Sequence, residues 1–265
     1  ALRRVVDPEK KRNIIGDTFL RVKDDEIERL GFNPDEWLLA QGTIYPDTVE
    51  SGVSKNADLV KTHHNRVAEI VELMEKGLVV EPLSELYKDE VRALGEYLGI
   101  PKNLIWRHPF PGPGLGVRLL CSDGKRAGVE LEQIKGLQEW LVQKGKELSL
   151  QRPLKATLLP IRTTGVRGDA RHYAQPLSIK EKLSWEQCRQ LSDEITRNFP
   201  EISRVVLQLS GDDEGYCYPI EQYCNRHTLD RLRLYDSVVT RFLHRHNLYD
   251  SVWQMPVVLL PLKHH

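Results

Sequence analysis

Cysteine is scarce in this sequence: four residues in 265, Cys121, Cys188, Cys217 and Cys224. Their irregular spacing excludes a disulfide framework and fits reduced thiols in a cytoplasmic protein. Net charge is absent too, with 38 Lys and Arg against 38 Asp and Glu, so no basic footprint marks the chain for nucleic acid. No apolar run approaches the ~18 residues of a membrane span, and the basic, helical start does not read as a signal peptide. What remains is 40% hydrophobic and 29% charged, a globular composition and not a disordered one. At roughly 150 residues per domain, the length points to two domains.

The first hundred residues alternate between helix and strand patterns. Asp7-Pro8-Glu9 reads as a helix start: a side-chain cap, a proline suited to the first position, and an acid facing the dipole. Ile14, Ile15, Phe19 and Val22 then line one helical face, which Gly31 terminates. Trp37-Leu38-Leu39-Ala40 is a short unbroken apolar run, the pattern of a buried parallel strand. A polar stretch without periodicity follows it. Val67, Ile70, Val71 and Met74 predict a helix ended by Gly77, Val79-Val80 a strand, and residues 83–98 a further helix. This alternation predicts an α/β fold, part of an open parallel sheet whose ligands sit beyond the carboxyl ends of strands. Residues 41–65 are therefore the place to look for chemistry.

Residues 101–116 interleave prolines with glycines, which excludes regular helix and central strand and marks a domain boundary near residue 110. Beyond it the pattern predicts an α+β domain: helices with faces Leu131, Ile134, Leu137, Leu141, then Cys188, Leu191, Ile195, then Leu232, Tyr235, Val239, Phe242, and strands at 156–161, 205–209 and 257–262. It carries a partial internal duplication. Leu158-Leu159-Pro160-Ile161-Arg162 matches Leu259-Leu260-Pro261-Leu262-Lys263, each after an amphipathic helix.

Several clusters admit both a chemical and a plain reading. Asp47 and Glu50 follow a strand end, with Lys61, His63 and His64 downstream. Two carboxylates can hold Mg²⁺ beside phosphates and a lysine can neutralise a leaving phosphate; the plain reading is a solvated loop. Adjacent histidines diverge and do not share one zinc. The Pro111–Gly116 stretch has glycines that can cradle phosphate, yet its prolines delete the N–H groups a cradle uses, so a stiff connection is the competing reading. Arg107 and Arg118 flank it and can reach a phosphate in bidentate fashion. Cys217, Cys224 and His227 lack zinc-ligand spacing and a fourth ligand. Gly165-Val166-Arg167-Gly168-Asp169 is either a turn presenting Asp169 to a base or sugar, or an ordinary β-turn.

An ordered set of motifs carries a family resemblance. It comprises Val5-Val6-Asp7-Pro8-Glu9, Lys11-Arg12, Ile14-Ile15-Gly16, Leu39-Ala40-Gln41-Gly42-Thr43-Ile44-Tyr45-Pro46-Asp47, Glu50-Ser51 and Lys61-Thr62-His63-His64-Asn65. Glu81-Pro82-Leu83, Lys88-Asp89-Glu90-Val91-Arg92, Arg107-His108-Pro109-Phe110-Pro111-Gly112-Pro113-Gly114-Leu115 and Gly165-Val166-Arg167-Gly168-Asp169 complete it. Together they resemble the glutamine-hydrolysing GMP synthase family, densely over residues 1–120 and more loosely beyond.

The resemblance implies an ATP-pyrophosphatase domain of the adenine-nucleotide α-hydrolase type over residues 1–110, with a lid at about 44–65. It implies a dimerisation and XMP-binding domain over 111–265, in the longer, human-like form of the family. The implied reaction adenylates the xanthine 2-oxygen of XMP with ATP and Mg²⁺, then aminates it with ammonia from glutamine. Asp47, Glu50, Lys61, His63 and His64 are the implied catalytic lid residues, with Mg²⁺ near Asp47 and Glu50. Arg12, Asp169 and Gln254 are the implied XMP contacts, in a homodimer that engages neither nucleic acid nor membrane.

The sequence also departs from the family. Gly52 stands where some relatives carry a lid lysine. A Ser-Gly-Gly-Val-Asp-Ser P-loop, the Cys-His-Glu glutaminase triad and a terminal Lys-Pro-Pro…Glu-Trp-Glu segment do not occur. The expectation is a C-terminal portion of such an enzyme, inactive alone. The alternatives are a non-catalytic interaction module of the same descent, or another ATP-pyrophosphatase such as an NAD synthetase or a tRNA-modifying enzyme.

Overall fold

The structure, a computed structural model, describes residues 1–33, 37–50, 68–150, 154–167, 170–210 and 217–264. Two compact units emerge: Ala1–Leu119 with Cys224–Leu259, and Leu120–Tyr223 with Leu260–His265. The sequence reading drew one cut after residue 110. Composition locates a bend in the chain, but it carries no sign that a later helix returns to the first unit.

In the first unit, α1 spans Pro8–Leu30 and begins as the sequence predicts, with Asp7 accepting a hydrogen bond from the Lys10 N–H at 2.7 Å. Gly31 ends it in the left-handed region, φ +66°. Strand β1 (Leu39–Ala40) lies parallel to β2 (Val79–Val80), joined through α2 (Tyr45–Glu50) and α3 (Ala68–Glu75). The parallel pairing meets expectation; the burial does not. Trp37 and Leu38 are exposed, and Trp37 packs on Phe32 with ring centroids 4.4 Å apart. Among the described residues this sheet has two short strands, without the flanking layers that bury a central strand.

Helix α4 (Lys88–Tyr97) starts later than the apolar pattern suggests, because Tyr87 N–H donates to Glu90 Oε2 at 2.7 Å and fixes the first turn there. The Pro/Gly segment is irregular except for two single turns, α5 (Lys102–Ile105) and α6 (Leu115–Arg118). Gly116 lets α6 approach α1 closely: a Cβ there would lie 2.8 Å from Ile15 Cδ1. Lys11, 2% exposed, completes this junction by donating to Gly116 O at 2.8 Å and Leu119 O at 2.6 Å. The returning helix α9 (Arg226–Arg245) is capped by Asn225, whose side chain accepts from Thr228 N–H, and buries Leu232 and Leu243.

The second unit holds α7 (Leu137–Glu147), α8 (Trp185–Asn198) and a mixed sheet of β4 (Ala156–Leu158), β5 (Thr163–Arg167), β6 (Ala170–Ile179) and β7 (Ile202–Leu207). Long β6 pairs antiparallel with β4 and β5 and parallel with β7, so β6, α8 and β7 form a βαβ crossover. Two small antiparallel pairs join β3 (Ser122–Asp123) to β9 (Glu221–Gln222) and β8 (Cys217–Pro219) to β10 (Leu262–His264). Ser184 and Gln187 cap α8 reciprocally. The core is continuous here: Leu137 and Leu141 of α7, Leu177 and Ile179 of β6, Leu191 and Ile195 of α8, and Ile202 all pack together.

The duplicated motifs meet in this unit. Leu159 and Ile161 of the first copy and Leu260 and Leu262 of the second pack in one cluster with Cys217. Both prolines are buried, and both prolyl carbonyls accept a backbone N–H, Pro160 from Ala127 and Pro261 from Ile220.

Candidate functional site

Strands β1 and β2 end where chemistry is expected in a parallel sheet. Gln41 N–H continues the ladder onto Val80 O at 2.9 Å. Thr43, 1% exposed, donates its Oγ1 hydrogen to Glu81 Oε1 at 2.5 Å, tying the two strand ends together. The Oε1 of Gln41 is shielded from solvent and accepts no hydrogen bond among the described residues.

Asp47 follows at once. Its Oδ2 accepts from Ile44 N–H at 3.1 Å, and its own N–H donates to Ile44 O at 2.9 Å. Residues 45–50 are thus helical, not loop: Pro46 suits a first turn and Asp47 complements its dipole. Glu50 closes α2. Lys61, His63, His64 and the rest of the expected lid to residue 65 lie outside the described residues.

Among the described residues, no group of three or more His, Cys, Asp or Glu side chains gathers to hold a metal. Mg²⁺, however, usually takes one or two carboxylates and fills its remaining positions with phosphate and water. Asp47, Glu81 and the unpartnered Gln41 oxygen are hard donors of that kind, so the residues at this strand end suit the ion chemically.

The three arginines separate. Arg12 pairs with Glu9 one turn back on α1 at 2.8 Å. Arg118 is largely buried: it pairs with Asp236 of α9 at 3.3 Å, and its guanidinium lies 4.7 Å from the Phe110 ring centre. Its engagement fastens the Pro/Gly segment to α9, which favours the stiff connection over the phosphate cradle. Arg107 alone is exposed, at the edge of an open pocket between α4, α5 and the segment after α9. Gln254, in that same segment, is exposed.

In the second unit the β5–β6 ladder runs to the pair Arg167↔Ala170, and Asp169 lies outside the described residues. Beside the ladder, His172 rests on Gly165, where a Cβ would come within 2.6 Å of the imidazole. Its Nε2 lies 3.1 Å from Pro200 O. Cys217 belongs to the apolar core. Burial pushes its thiol pKa up against a smaller opposing pull from Arg126, so it is poorly suited to ligate zinc or attack an electrophile.

Sequence reading overlooked the buried polar groups. Lys144 of α7 lies between Glu194 of α8 at 2.7 Å and Glu147 at 3.2 Å. The hydrogen bond to Glu194 raises the lysine pKa despite the opposing desolvation, and the same bond holds Glu194 below the usual carboxylate range. Gln175, 3% exposed, accepts from Val129 N–H and donates to Val129 O and Leu159 O. The one available signal was an interruption of apolar periodicity, as at Lys144 within the α7 face. A long-range partner leaves no mark on local pattern.

The chain has clear relatives. It is 40% identical over 259 residues to a probable GMP synthase [glutamine-hydrolyzing] of Leptospira interrogans, covering 97% of this chain and 41% of that protein. It is 35% identical over 308 aligned residues to the GMP synthase [glutamine-hydrolyzing] of Dictyostelium discoideum, 99% of this chain and 42% of that one. The Idiomarina loihiensis enzyme of the same name is 41% identical over 227 residues, 77% of this chain. No family model matches the sequence. The chain therefore spans about two fifths of the length of the curated relatives it matches, and over nearly all of its own length it is similar to proteins named GMP synthase.

Proposed function

We propose that this chain serves GMP synthesis as part of a GMP synthase, with residues 1–110 in the ATP-pyrophosphatase domain and residues 111–265 in the dimerisation and XMP-binding domain. The observation that carries the reading is the 40% identity over 97% of the chain. The placement of Thr43, Asp47 and Glu81 at the carboxyl ends of parallel β1 and β2 agrees with it.

In this reading the xanthine 2-oxygen of XMP attacks the α-phosphorus of ATP and expels pyrophosphate. Ammonia derived from glutamine then adds at C2, and AMP leaves with the oxygen, giving GMP and a released proton. The chemical difficulty is a poor leaving group, which adenylation replaces with a good one. Asp47 and Glu50 would face the ATP phosphates and hold Mg²⁺, whose charge stabilises the departing pyrophosphate. Lys61 would neutralise the same charge, and His63 and His64 would close over the site and exclude water. Arg12, Asp169 and Gln254 would hold XMP, Arg107 is a candidate phosphate contact, and the enzyme would act as a homodimer. Arg118, paired with Asp236, is better assigned to the scaffold.

The test is kinetic and uses the whole enzyme. Asp47→Ala or Lys61→Ala should lower XMP-dependent release of pyrophosphate about a hundredfold or more while leaving glutamine hydrolysis intact. Unchanged GMP formation in either variant overturns the lid assignment. A companion assay supplies the 265-residue chain with ATP, Mg²⁺, XMP and ammonia. XMP binding without turnover supports a shared site, whereas no binding of XMP or ATP favours a non-catalytic module.

A further inference from the structure

Helix α9 has two apolar faces. One turns inward and buries Leu232 and Leu243, and Asp236 on the same side pairs with Arg118 at 3.3 Å. The other is a row at i, i+4 and i+8: Leu234, Val238 and Phe242, 56%, 50% and 55% exposed, with Tyr235, 42% exposed, beside it. At about 3.6 residues per turn this row lies roughly a third of a turn from the buried one. A helix at a domain surface ordinarily gives its outer face to polar side chains. A contiguous apolar row rimmed by charge marks instead a surface that meets another molecule.

The rim is cationic. Arg231 stands one turn before Leu234, Arg241 one turn after Val238, and Arg245 one turn after Phe242. All three are exposed. The Arg231 guanidinium lies 6.0 Å from the Tyr235 ring centre, and Arg241 Nε donates to Ser237 O at 3.2 Å. These contacts orient the two side chains, and neither supplies a negative charge. The acids of the helix are engaged elsewhere: Asp230 with Arg233 at 2.6 Å and Arg226 at 3.7 Å, Asp236 with Arg118. The His246 ring packs on Phe242 with centroids 4.3 Å apart and closes the carboxyl end of the row.

We propose that this face of α9 docks an acidic amphipathic helix of a partner protein, with the partner's apolar side chains seated between Leu234, Val238 and Phe242 and its carboxylates on Arg231, Arg241 and Arg245. An i, i+4, i+8 row is the ridge that fits the groove of a facing helix, and at ~1.5 Å per residue it spans about 12 Å. Guanidinium groups at both ends of the ridge and along one side select carboxylates. A second copy of α9 is disfavoured: laid antiparallel along the row, it sets Arg231 of one copy against Arg245 of the other. A bilayer is disfavoured too, because a row little more than one side chain wide buries too little apolar area. The proposal uses none of the residues assigned to ATP or XMP and stands apart from the reading above.

Fluorescence anisotropy with the full 265-residue chain tests this. The probe is a labelled synthetic peptide of about three heptads, with Leu at a and d and Glu at most other positions. Saturable binding is expected at about 50 mM salt, weaker by several-fold at about 300 mM. The same peptide with Gln in place of Glu should bind at least about tenfold more weakly. Val238→Asp should weaken the acidic peptide about tenfold with the thermal melt unchanged, since the side chain is exposed. Arg231→Glu combined with Arg245→Glu should weaken it as much and gain binding of a peptide with Lys in place of Glu. Absence of saturable binding overturns the proposal, as does equal binding of the Glu and Lys peptides by the unaltered chain or unchanged affinity in Val238→Asp. A dimer that dissociates on Val238→Asp in sedimentation overturns it in favour of a second copy. Tighter binding of phosphatidylserine vesicles than of the peptide, lost in the same variant, overturns it in favour of a membrane.

Discussion

The two units of this chain are built on different principles. In the second, eleven buried apolar residues from two helices, the central sheet and the segments that flank them form one core. In the first, few of the described side chains are fully buried, Leu119 and Leu232 among them, and large apolar residues such as Phe19, Trp37, Tyr97 and Leu98 stand exposed. Among the described residues this unit is tied by polar fastenings at long sequence separation: Lys11 to Gly116 and Leu119, Arg118 to Asp236, and His108 to Tyr249. Burial is non-directional and tolerates small shifts, whereas a polar fastening works only while both partners stay in register. The first unit should therefore be the less stable and the more dependent on single residues, and it is the unit that carries the candidate strand-end site.

The largest test compares core truncations. Leu177→Ala, at a fully buried position, should destabilise the second unit by about 3 kcal/mol, and Phe19→Ala should change the first by less than about 0.5 kcal/mol. Urea unfolding read by hydrogen exchange separates the two. Equal effects would mean that the first unit has a core its exposed side chains do not reveal. Next in size is Lys11→Met, which leaves two carbonyls without their buried donor and should cost about 2 kcal/mol, with exchange rising along α1 and α6.

Much of this contrast was hidden in the sequence, though its elements were not. Asp7, Pro8 and Gly31 bracket α1 as predicted, because caps are local chemistry. The parallel strands at 39–40 and 79–80 and the helical face of α8 also followed from the apolar pattern, whereas of the face expected for α7 Leu131 and Ile134 precede the helix, which starts at Leu137. The Trp37-Leu38 run misled: four consecutive apolar residues imply burial only if other layers exist to cover them. The candidate site was legible as motif order, which placed Asp47 just past a strand end. Its Ile44 cap, the Thr43–Glu81 tie and the Arg118–Asp236 pair join residues through space, and only the fold shows them.

A pH experiment sharpens the comparison from the second unit's side. Glu194 is held below its ordinary range in the fold, so its stabilisation is present above the unfolded carboxylate pKa of about 4.3 and is lost as pH falls through the lower folded value. Lys144 is raised, so its share is full below about 10.4 and is lost as pH rises through the higher folded value. Thermal melts of Glu194→Gln against the parent should differ most between about pH 5 and pH 9 and converge in acid. A constant difference across that range would remove this pair from the account. Asp7→Ala should cost less than Lys11→Met, about 1 kcal/mol of α1 stability from one lost cap, measured as faster exchange confined to its first turn.

The return of α9 to the first unit has a consequence for biosynthesis. The residues of the second unit's main core, from Ile134 to Val205, leave the ribosome as one uninterrupted stretch and can condense as soon as they are free. The first unit is synthesised earlier but closes later, since Asp236 and Tyr249 must emerge before Arg118 and His108 find their partners. Along the chain, the partners that complete the first unit come after the whole of the second unit's main core. Through that interval the early segment, with its exposed aromatic residues, waits unfinished, and a nascent chain paused between residues 205 and 236 is where a chaperone would find the most to hold.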